Sequence, residues 1–298
     1  MQAKPIARWV AVLILLGIAT SFGANNVSAR VALEHGTSVT AAVAVRSIFT
    51  ALAMLVLMRV QGVPLALPAG ARLRAALIGA LLAAQSFCLY SAVARIPVAL
   101  ALLAFSTFPM MLSLISWAGG GGAPDRRTLV AMPVALAGLG LALDVVGLGG
   151  SIAGRWAEIG AGVGFALGAG LSWALILHFT VHWMKDVDGR MRTLLTMCVA
   201  AAIVLVAGAA TGDLALPKAP AGWAGLALLC AFYGAAITTL FVVLPRIGAV
   251  NNAVVLNFEP IVVLALAWIV LGQSVAPRQI VGAFVVVGAI VYLNAARR

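Results

Sequence analysis

The chain has 298 residues, of which 64% are hydrophobic and 9% charged, and its mean hydropathy is +1.14. So few polar residues cannot cover the surface of a soluble globule, which excludes a soluble protein and indicates one that spans a bilayer. The net charge of +11 would favour nucleic acid in a soluble protein, but the basic residues are scattered among short loops, so no nucleic-acid partner is predicted.

Ten apolar segments are long enough to cross a membrane. The hydrocarbon core is about 30 Å thick and needs roughly 20 helical residues to cross. An all-α polytopic membrane protein is therefore predicted. The expected spans are residues 7–28, 38–59, 72–92, 97–118, 127–146, 156–182, 192–211, 221–243, 250–271 and 278–296.

The basic residues orient these spans. With the N-terminus in the cytoplasm, thirteen Lys and Arg residues lie in cytoplasmic segments and five on the opposite side, while Arg46 lies within a span. Cytoplasmic loops carry the excess of Lys and Arg in membrane proteins. Both termini are therefore predicted to be cytoplasmic.

The sequence repeats itself at an offset of 151 residues. Each half holds five spans, and because five is odd, the second half must enter the membrane from the opposite face. The predicted organisation is a first repeat over residues 1–147, a glycine-rich linker over 148–154 and a second, inverted repeat over 155–298. The offset pairs Ser21 with Ser172, Arg95-Ile96 with Arg246-Ile247, Pro109 with Pro260, Trp117 with Trp268, Gly121 with Gly272 and Arg127 with Arg278.

Glycines and prolines predict two features of packing. Gly160, Gly164 and Gly168 recur every four residues in the sixth span, a spacing that lets another helix approach closely. Pro109 and Pro260 lie in mid-span, where proline removes a backbone hydrogen bond and kinks a helix. A fixed kink and a moving hinge are both open at these two positions.

Two charged residues are predicted inside the bilayer, where each costs at least about 2.5 kcal/mol. Glu259 lies roughly 14 Å along the ninth span and Arg46 roughly 12 Å along the second, at 1.5 Å per residue. The repeat pairs Glu259 with Phe108 and Arg46 with Met197, so the duplicated architecture does not require either charge. Open alternatives are a protonated Glu259 bonded to a neighbouring helix and an ion-paired or snorkelling Arg46.

Other polar and aromatic residues within the spans are candidates for a binding cavity. Each is also compatible with an interhelical hydrogen bond or simple packing. Several converging on one cavity would form a mostly apolar pocket with a few directional groups, suited to an amphipathic metabolite. These candidates are Asn25, Gln85, Tyr90, Phe105, Trp173, His178, Tyr233, Asn252 and Asn257.

The motif RSIFTALAML around Arg46, the segment LPRIGAVNNAVVLNFEPIVVLALAWIVLGQ and the duplicated ten spans resemble the EamA family of the drug/metabolite transporter superfamily. The resemblance covers the whole chain, and Glu259-Pro260 is similar to the family's FEP-type signature in the ninth helix. Within the family the chain looks most like YddG-type aromatic amino-acid exporters. Gly119 to Gly122 stand where many relatives have an acidic residue, so no role is transferred to that stretch.

The resemblance implies alternating access and export of amino acids or related metabolites across the bacterial inner membrane, and the missing GxxxxGKS/T motif indicates a secondary transporter. Trp173, Tyr90, Phe105 and Tyr233 favour aromatic and other neutral amino acids as the cargo, because their rings can stack on an aromatic solute. The expected partners are such a solute, membrane lipids and protons as a candidate coupling ion; a monomer without cofactor or metal is expected. An exporter of drugs or cationic metabolites is the alternative on the same fold. An intramembrane enzyme is disfavoured because HExxH and GxSxG are missing, and a passive channel because polar groups are sparse.

Overall fold

The protein is described here by a computed structural model. It describes residues 8–65, 70–120, 122–124, 126–142, 152–184, 187–247, 258–273 and 276–295, and within these ranges every regular element is an α-helix. The helices are α1 (Arg8–Glu34), α2 (Val39–Val60), α3 (Ala71–Arg95), α4 (Val98–Phe105), α5 (Phe108–Ala118), α6 (Arg126–Ala142), α7 (Ile152–Trp183), α8 (Gly189–Thr211), α9 (Pro220–Ile247), α10 (Glu259–Leu271) and α11 (Pro277–Ala295).

These helices correspond to the ten predicted spans. Over the described residues, seven stretches are long and apolar enough to cross a bilayer, with α4 and α5 together forming one of them. Three shorter apolar helices, Thr128–Ala142, Glu259–Leu271 and Pro277–Ala289, occupy the fifth, ninth and tenth predicted spans. The all-helical, membrane-spanning class expected from composition is confirmed.

The duplication is visible in where helices begin. Helix α5 begins at Phe108 and α10 at Glu259, and α6 begins at Arg126 and α11 at Pro277, so both pairs keep the 151-residue offset. The residues that precede α5 and α10 have nearly the same backbone, with φ −74° and ψ −6° at Thr107 and φ −74° and ψ −16° at Phe258. The repeat therefore extends from sequence to local geometry.

The two halves are inverted relative to each other. Helices α2 and α8 occupy equivalent places in the two halves and pack together. At the start of α2, the Thr40 hydroxyl donates to Oδ2 of Asp213, just after the end of α8, over 2.7 Å. Beyond the other end of α2, the Gln61 side chain accepts a hydrogen bond from Arg190 at the start of α8. Equivalent helices thus run antiparallel, as an odd number of spans per half requires.

The main helix pairs of the bundle each join a helix of the first half to a helix of the second half. Helix α1 packs along α9, and α3 packs along α7. These two contacts are equivalent, because α7 is the repeat counterpart of α1 and α9 is that of α3. Helix α6 packs on its own counterpart, α11. Helix α4 is almost wholly buried and contacts α7 and α10. The largest buried cluster accordingly contains residues from both halves, with Tyr90 among its fully buried side chains.

In the fourth span, Pro109 does not kink a continuous helix in the way the sequence predicts, whereas residues 248–257, which precede Pro260 in the ninth span, lie outside the described residues. The fourth span is two helices, because α4 ends at Phe105 and α5 begins at Phe108. Pro109 and Pro260 lie in the first turns of α5 and α10, where a missing N–H leaves no helical bond unmade. In the fourth span the hydroxyls of Ser106 and Thr107 donate to the carbonyl oxygens of Leu102 and Ala104, respectively, each over 2.7 Å. These bonds supply donors to backbone carbonyls at the helix break.

The glycine prediction in the sixth span is wrong in its choice of residues. A Cβ at Gly160 would meet only Trp156 of the same helix, one at Gly164 would contact no heavy atom within 4 Å, and one at Gly168 would meet only Cys88, at an ordinary 3.7 Å. Close approaches occur instead at Gly162, where a Cβ would lie 2.5 Å from the Ile96 side chain, and at Gly170, where it would lie 3.1 Å from the Phe105 carbonyl oxygen. The sequence spacing identified a helix rich in glycine but not the face that packs closely.

The boundaries of the repeats stay a prediction. Residues 143–151, which include most of the predicted linker, lie outside the described residues, and α7 begins at Ile152, within the segment predicted as linker.

Candidate functional site

Arg46 is buried in the middle of the helix bundle. Its side chain projects from α2 and is 3% exposed. Nη1 donates to the Tyr90 hydroxyl over 3.1 Å and Nη2 donates to the Ser86 hydroxyl over 2.5 Å, both on α3. The four-residue spacing of Ser86 and Tyr90 places both hydroxyls on one face of α3, so a single guanidinium reaches both.

Two tyrosine rings flank the same guanidinium. Cζ of Arg46 lies 4.2 Å from the ring centroid of Tyr233 on α9 and 5.1 Å from that of Tyr90. An aromatic face attracts a cation by about 0.5–2 kcal/mol, more when water is excluded. Phe22 on α1 packs edge-on against Tyr233 with the ring centroids 5.9 Å apart. The positive charge is therefore held by hydroxyls and aromatic faces.

The polar contacts continue from Arg46 in two directions. The Ser86 hydroxyl donates to Oε1 of Gln85 over 3.2 Å. The Tyr90 hydroxyl lies 3.2 Å from the side-chain amide of Asn25 on α1. With its nitrogen towards Tyr90, that amide also donates to the Leu229 carbonyl oxygen on α9 over 3.2 Å, which satisfies more of its groups. Helices from both halves thus meet at these residues.

Glu259 joins a second polar contact next in sequence to Asn25. Nδ2 of Asn26 donates to Oε1 of Glu259 over 3.2 Å and also to the Phe22 carbonyl oxygen over 3.0 Å. Glu259 is the first residue of α10, where the positive end of the helix dipole favours a negative charge. Asn26 is 3% exposed and its Oδ1 has no partner in the described part of the chain.

Arg46 and Glu259 do not form an ion pair with each other. Within the described ranges, the ion pairs are Arg30 with Glu34 and Arg190 with Asp188, both near helix ends. Nε of Arg46 is buried and has no hydrogen-bond partner among the described residues. Arg46 and Glu259 therefore have separate partners. Among the described residues, Nε of Arg46 remains an unused donor and Oδ1 of Asn26, the residue that contacts Glu259, remains an unused acceptor.

The polar residues around Arg46 and Glu259 have no polar equivalents at the positions that the repeat relates to them. We call Asn25, Asn26, Arg46, Gln85, Ser86, Tyr90, Tyr233 and Glu259 the polar network. The positions 151 residues away from these eight all carry apolar side chains. In the same order, these counterparts are Ile176, Leu177, Met197, Ala236, Ile237, Phe241, Leu82 and Phe108. The architecture is duplicated but the polar network is not, so folding of a symmetric bundle does not account for it.

The predicted candidates divide into two groups. Asn25, Arg46, Gln85, Tyr90, Tyr233 and Glu259 come together in the polar network. Among the described residues, no hydrogen bond or ring contact joins Phe105, Trp173 or His178 to it. Asn252 and Asn257 lie outside the described residues.

The remaining aromatic candidates have other surroundings. Phe105 ends α4 and its ring lies 5.6 Å from that of Phe108. Trp173 is partly buried and packs against the main hydrophobic cluster. The His178 ring lies 4.3 Å from that of His182, one turn later on α7, and a Cβ on Gly119 would come within 3.4 Å of it. Phe105 thus contacts Phe108, the counterpart of Glu259, and Trp173 and His178 lie on the same helix as Ile176 and Leu177, the counterparts of Asn25 and Asn26.

Two residues of the polar network are not among the candidates predicted from the sequence. Ser86 is the closest partner of Arg46, and Asn26 is the partner of Glu259. The signal that points to both is the repeat, because Ile237 and Leu177 occupy the equivalent positions.

A small apolar cleft lies beside Pro260. It has a volume of about 30 Å³, enough for about one water molecule, between α4, α10 and α11. Its lining gives a solute no directional polar contact. The lining residues are Ala99, Leu103, Pro260, Ile261, Leu264, Ala283, Phe284 and Val287.

Metal binding finds no support in the described part of the chain, where no three His, Cys, Asp or Glu side chains group together. Cys88, Cys198 and Cys230 are free thiols.

Comparisons with known proteins agree with the fold and the repeat. No curated protein matches the chain. A solved structure described only as "Crystal structure of protein" is 16% identical, with 96% of each chain covered and a TM-score of 0.65, a likeness that shows the shared fold alone. The model of the EamA-like transporter family matches residues 9–143 and again residues 160–295, and the two matches begin 151 residues apart. The chain therefore belongs to the EamA-like transporter family, whose members are small-molecule transporters of the drug/metabolite transporter superfamily.

Proposed function

We propose that this protein is a secondary transporter that exports neutral amino acids, including aromatic ones, across the bacterial inner membrane by alternating access. Both termini lie in the cytoplasm and the monomer is the transporting unit. The substrate binds at the polar network, and the halves of the bundle move around it. Within its family we propose that it is a YddG-type exporter.

The observation that carries the proposal is the hydrogen bond between Asn26 and Glu259, which joins the two halves of the duplication. Alternating access requires the halves to move relative to each other around a fixed site. A polar contact across their interface breaks and forms as they move. A substrate that offers its own polar groups there compensates for the broken contact, which couples binding to movement.

The composition of the polar network suits an amphipathic solute. The Tyr90 and Tyr233 rings offer flat apolar faces, while the Arg46, Gln85 and Glu259 side chains offer directional polar groups. Ring stacking contributes about 0.5–1.5 kcal/mol per pair beyond the burial of apolar area. An aromatic amino acid can use both kinds of contact at once.

A cationic drug or metabolite is the second candidate substrate. Tyr90 and Tyr233 already hold a guanidinium against their faces, and the same faces can accept a cationic ligand. The Glu259 carboxylate would provide the opposite charge. This candidate requires that Arg46 move away from the rings, because its positive charge would repel a cationic ligand.

Counterflow in proteoliposomes distinguishes the candidates. Vesicles preloaded with unlabelled solute take up labelled tryptophan, phenylalanine, threonine or a cationic drug, with and without a pH gradient. We expect saturable exchange of tryptophan and phenylalanine. Exchange of the cation alone supports the second candidate, and flux that does not saturate contradicts a carrier of either kind.

A further inference from the structure

We propose that Arg46 and Tyr90 form the subsite that binds a carboxylate group of the transported molecule. This inference rests on the transport function proposed above and narrows the substrate to a class, because it requires an anionic group. It concerns the one buried cation of the polar network and the hydroxyl that it contacts.

The guanidinium of Arg46 has more donors than its surroundings use. A guanidinium has five N–H groups. One goes to the Tyr90 hydroxyl and one to the Ser86 hydroxyl. Nε has no partner among the residues that the structure describes, although the side chain is only 3% exposed. A buried N–H without an acceptor is costly, so the site favours a ligand that supplies one.

Tyr90 provides a second donor beside the first. In the amide orientation that satisfies more groups of Asn25, the Tyr90 oxygen accepts from Asn25 over 3.2 Å and from Arg46 over 3.1 Å. Both of its acceptor sites are then occupied, and its O–H remains available to donate. A carboxylate can accept from the Tyr90 O–H through one oxygen and from the guanidinium through the other, because it offers two acceptor oxygens to the planar set of arginine donors.

Charge favours the same ligand. No carboxylate in the described ranges forms an ion pair with Arg46, and the acid of the polar network, Glu259, bonds to Asn26 instead. The two tyrosine faces offset only part of the cost of holding a cation away from water. A bound anion neutralises Arg46, whereas a cationic ligand would add a second positive charge next to it. The geometry therefore favours a carboxylate-bearing substrate over a cationic drug.

Duplication supplies a matched variant. Met197 stands at the position equivalent to Arg46, so Arg46→Met places in α2 the side chain that the same fold already accepts in α8. Arg46→Lys keeps the charge but not the planar set of donors. Arg95→Met is a control, because Arg95 lies at the exposed end of α3, where it bonds to the Ser91 carbonyl oxygen.

The first measurement is ligand-induced thermal stabilisation of the purified protein by 3-phenylpropionate and by its uncharged amide. We expect the wild type and Arg95→Met to bind the carboxylate at least about tenfold more tightly than the amide, the usual loss when a charged hydrogen-bonded pair is removed. We expect Arg46→Met to lose this preference and Arg46→Lys to keep only part of it. An undiminished preference in Arg46→Met overturns the proposal, as does a wild type that binds both compounds equally.

Counterflow separates this inference from the transport proposal. Wild-type exchange of phenylalanine but not of phenylalaninamide, lost in Arg46→Met, supports both. If no amino acid exchanges but the carboxylate still stabilises the protein through Arg46, the subsite stands and the amino-acid function fails. If phenylalanine and phenylalaninamide exchange equally well in both proteins, transport stands and the carboxylate subsite is overturned.

Discussion

The side-chain amide of Asn26 donates to Oε1 of Glu259 over 3.2 Å, although the two residues are 233 positions apart and belong to opposite halves of the duplication. The repeat puts Leu177 and Phe108 at the equivalent positions. The equivalent positions are therefore both apolar, whereas Asn26 and Glu259 form a hydrogen bond. Among the described residues this asymmetry places a polar contact between two similar halves, and it is here that we propose a substrate or a proton acts on their movement.

A first prediction concerns proton coupling at this contact. Glu259→Gln keeps the shape and the hydrogen bond with Asn26 but cannot exchange a proton. We expect exchange by the wild type to vary across a pH series in proteoliposomes. The variant should lack this pH dependence and exchange about tenfold more slowly, an effect of about 1.4 kcal/mol on the barrier.

Glu34→Gln is the matched control. Glu34 is an exposed acid at the end of α1 that pairs with Arg30 four residues earlier, a surface ion pair of small energy. Its variant should retain wild-type rates and pH dependence. A Glu259→Gln profile that follows the wild type at every pH would show that this carboxyl has no protonation role.

A second prediction separates function from stability at Arg46. A buried charge costs at least about 2.5 kcal/mol in a bilayer, and the same fold already has a methionine, Met197, at the position equivalent to Arg46. Arg46→Met should therefore melt at or above the wild-type temperature while transport falls below about a tenth of the wild-type rate. Thermal unfolding in detergent and counterflow on the same preparation measure the two effects. A large loss of melting temperature would instead assign Arg46 a structural role.

The spans and the repeat could be predicted because they depend on properties of single residues. Apolar length defines a membrane helix, and the 151-residue offset survives in helix starts at Phe108 and Glu259. The break in the fourth span could not be predicted in this way. A proline in mid-sequence is compatible with a kink or with a helix start, and the bonds that Ser106 and Thr107 make back to α4 are part of the folded break.

The polar network was predictable only in part, for a geometric reason. Asn25 and Asn26 are adjacent, and neighbouring helical residues point about 100° apart, so they face different helices. Because α1 packs against α3, α9 and α10, both faces are used, by Tyr90 for Asn25 and by Glu259 for Asn26. The candidates predicted from the sequence include Asn25 but not Asn26. Which helices surround α1 is decided by tertiary packing.

A third prediction concerns the start of α8, outside the membrane-spanning segment. Asp188 caps the helix by accepting from the Arg190 backbone N–H over 2.8 Å. Hydrogen bonds from the Arg190 side chain lower the pKa of Asp188 to about 2. The folded state therefore binds this proton less tightly than the unfolded state, so the stabilisation is complete above about pH 4 and is lost as the pH falls through about 2.

Two substitutions separate the cap from the charge. Asp188→Ala removes the cap and should cost about 1 kcal/mol at neutral pH, or about 2 °C in melting temperature. Asp188→Asn keeps a capping oxygen but loses the charge that Arg190 stabilises, an effect that solvent exposure reduces, so it should lose less melting temperature than Asp188→Ala. Thermal unfolding of the three proteins at pH 7 tests the order. Equal losses in both variants would mean that the charge matters more than the cap.

A fourth prediction tests the contact between α6 and α11, which pairs equivalent helices from the two halves. A Cβ at Gly282 would lie 2.6 Å from the Gly138 carbonyl oxygen and closer still to the Ala142 nitrogen, and backbone atoms cannot move aside as side chains do. Gly282→Ala should therefore force the helices apart and destabilise the protein by about 1–3 kcal/mol.

Gly288→Ala is the control for this change, because Gly288 lies six residues later in α11 and a Cβ there would contact no heavy atom within 4 Å. Alanine is the better helix former, so this variant should melt at or slightly above the wild-type temperature. Both variants add one methyl group to the same helix, and their difference in melting temperature isolates the interhelical contact. If they melt together, α6 and α11 do not approach as closely as the structure has them, and the two halves meet mainly through the pairs α1 with α9 and α3 with α7.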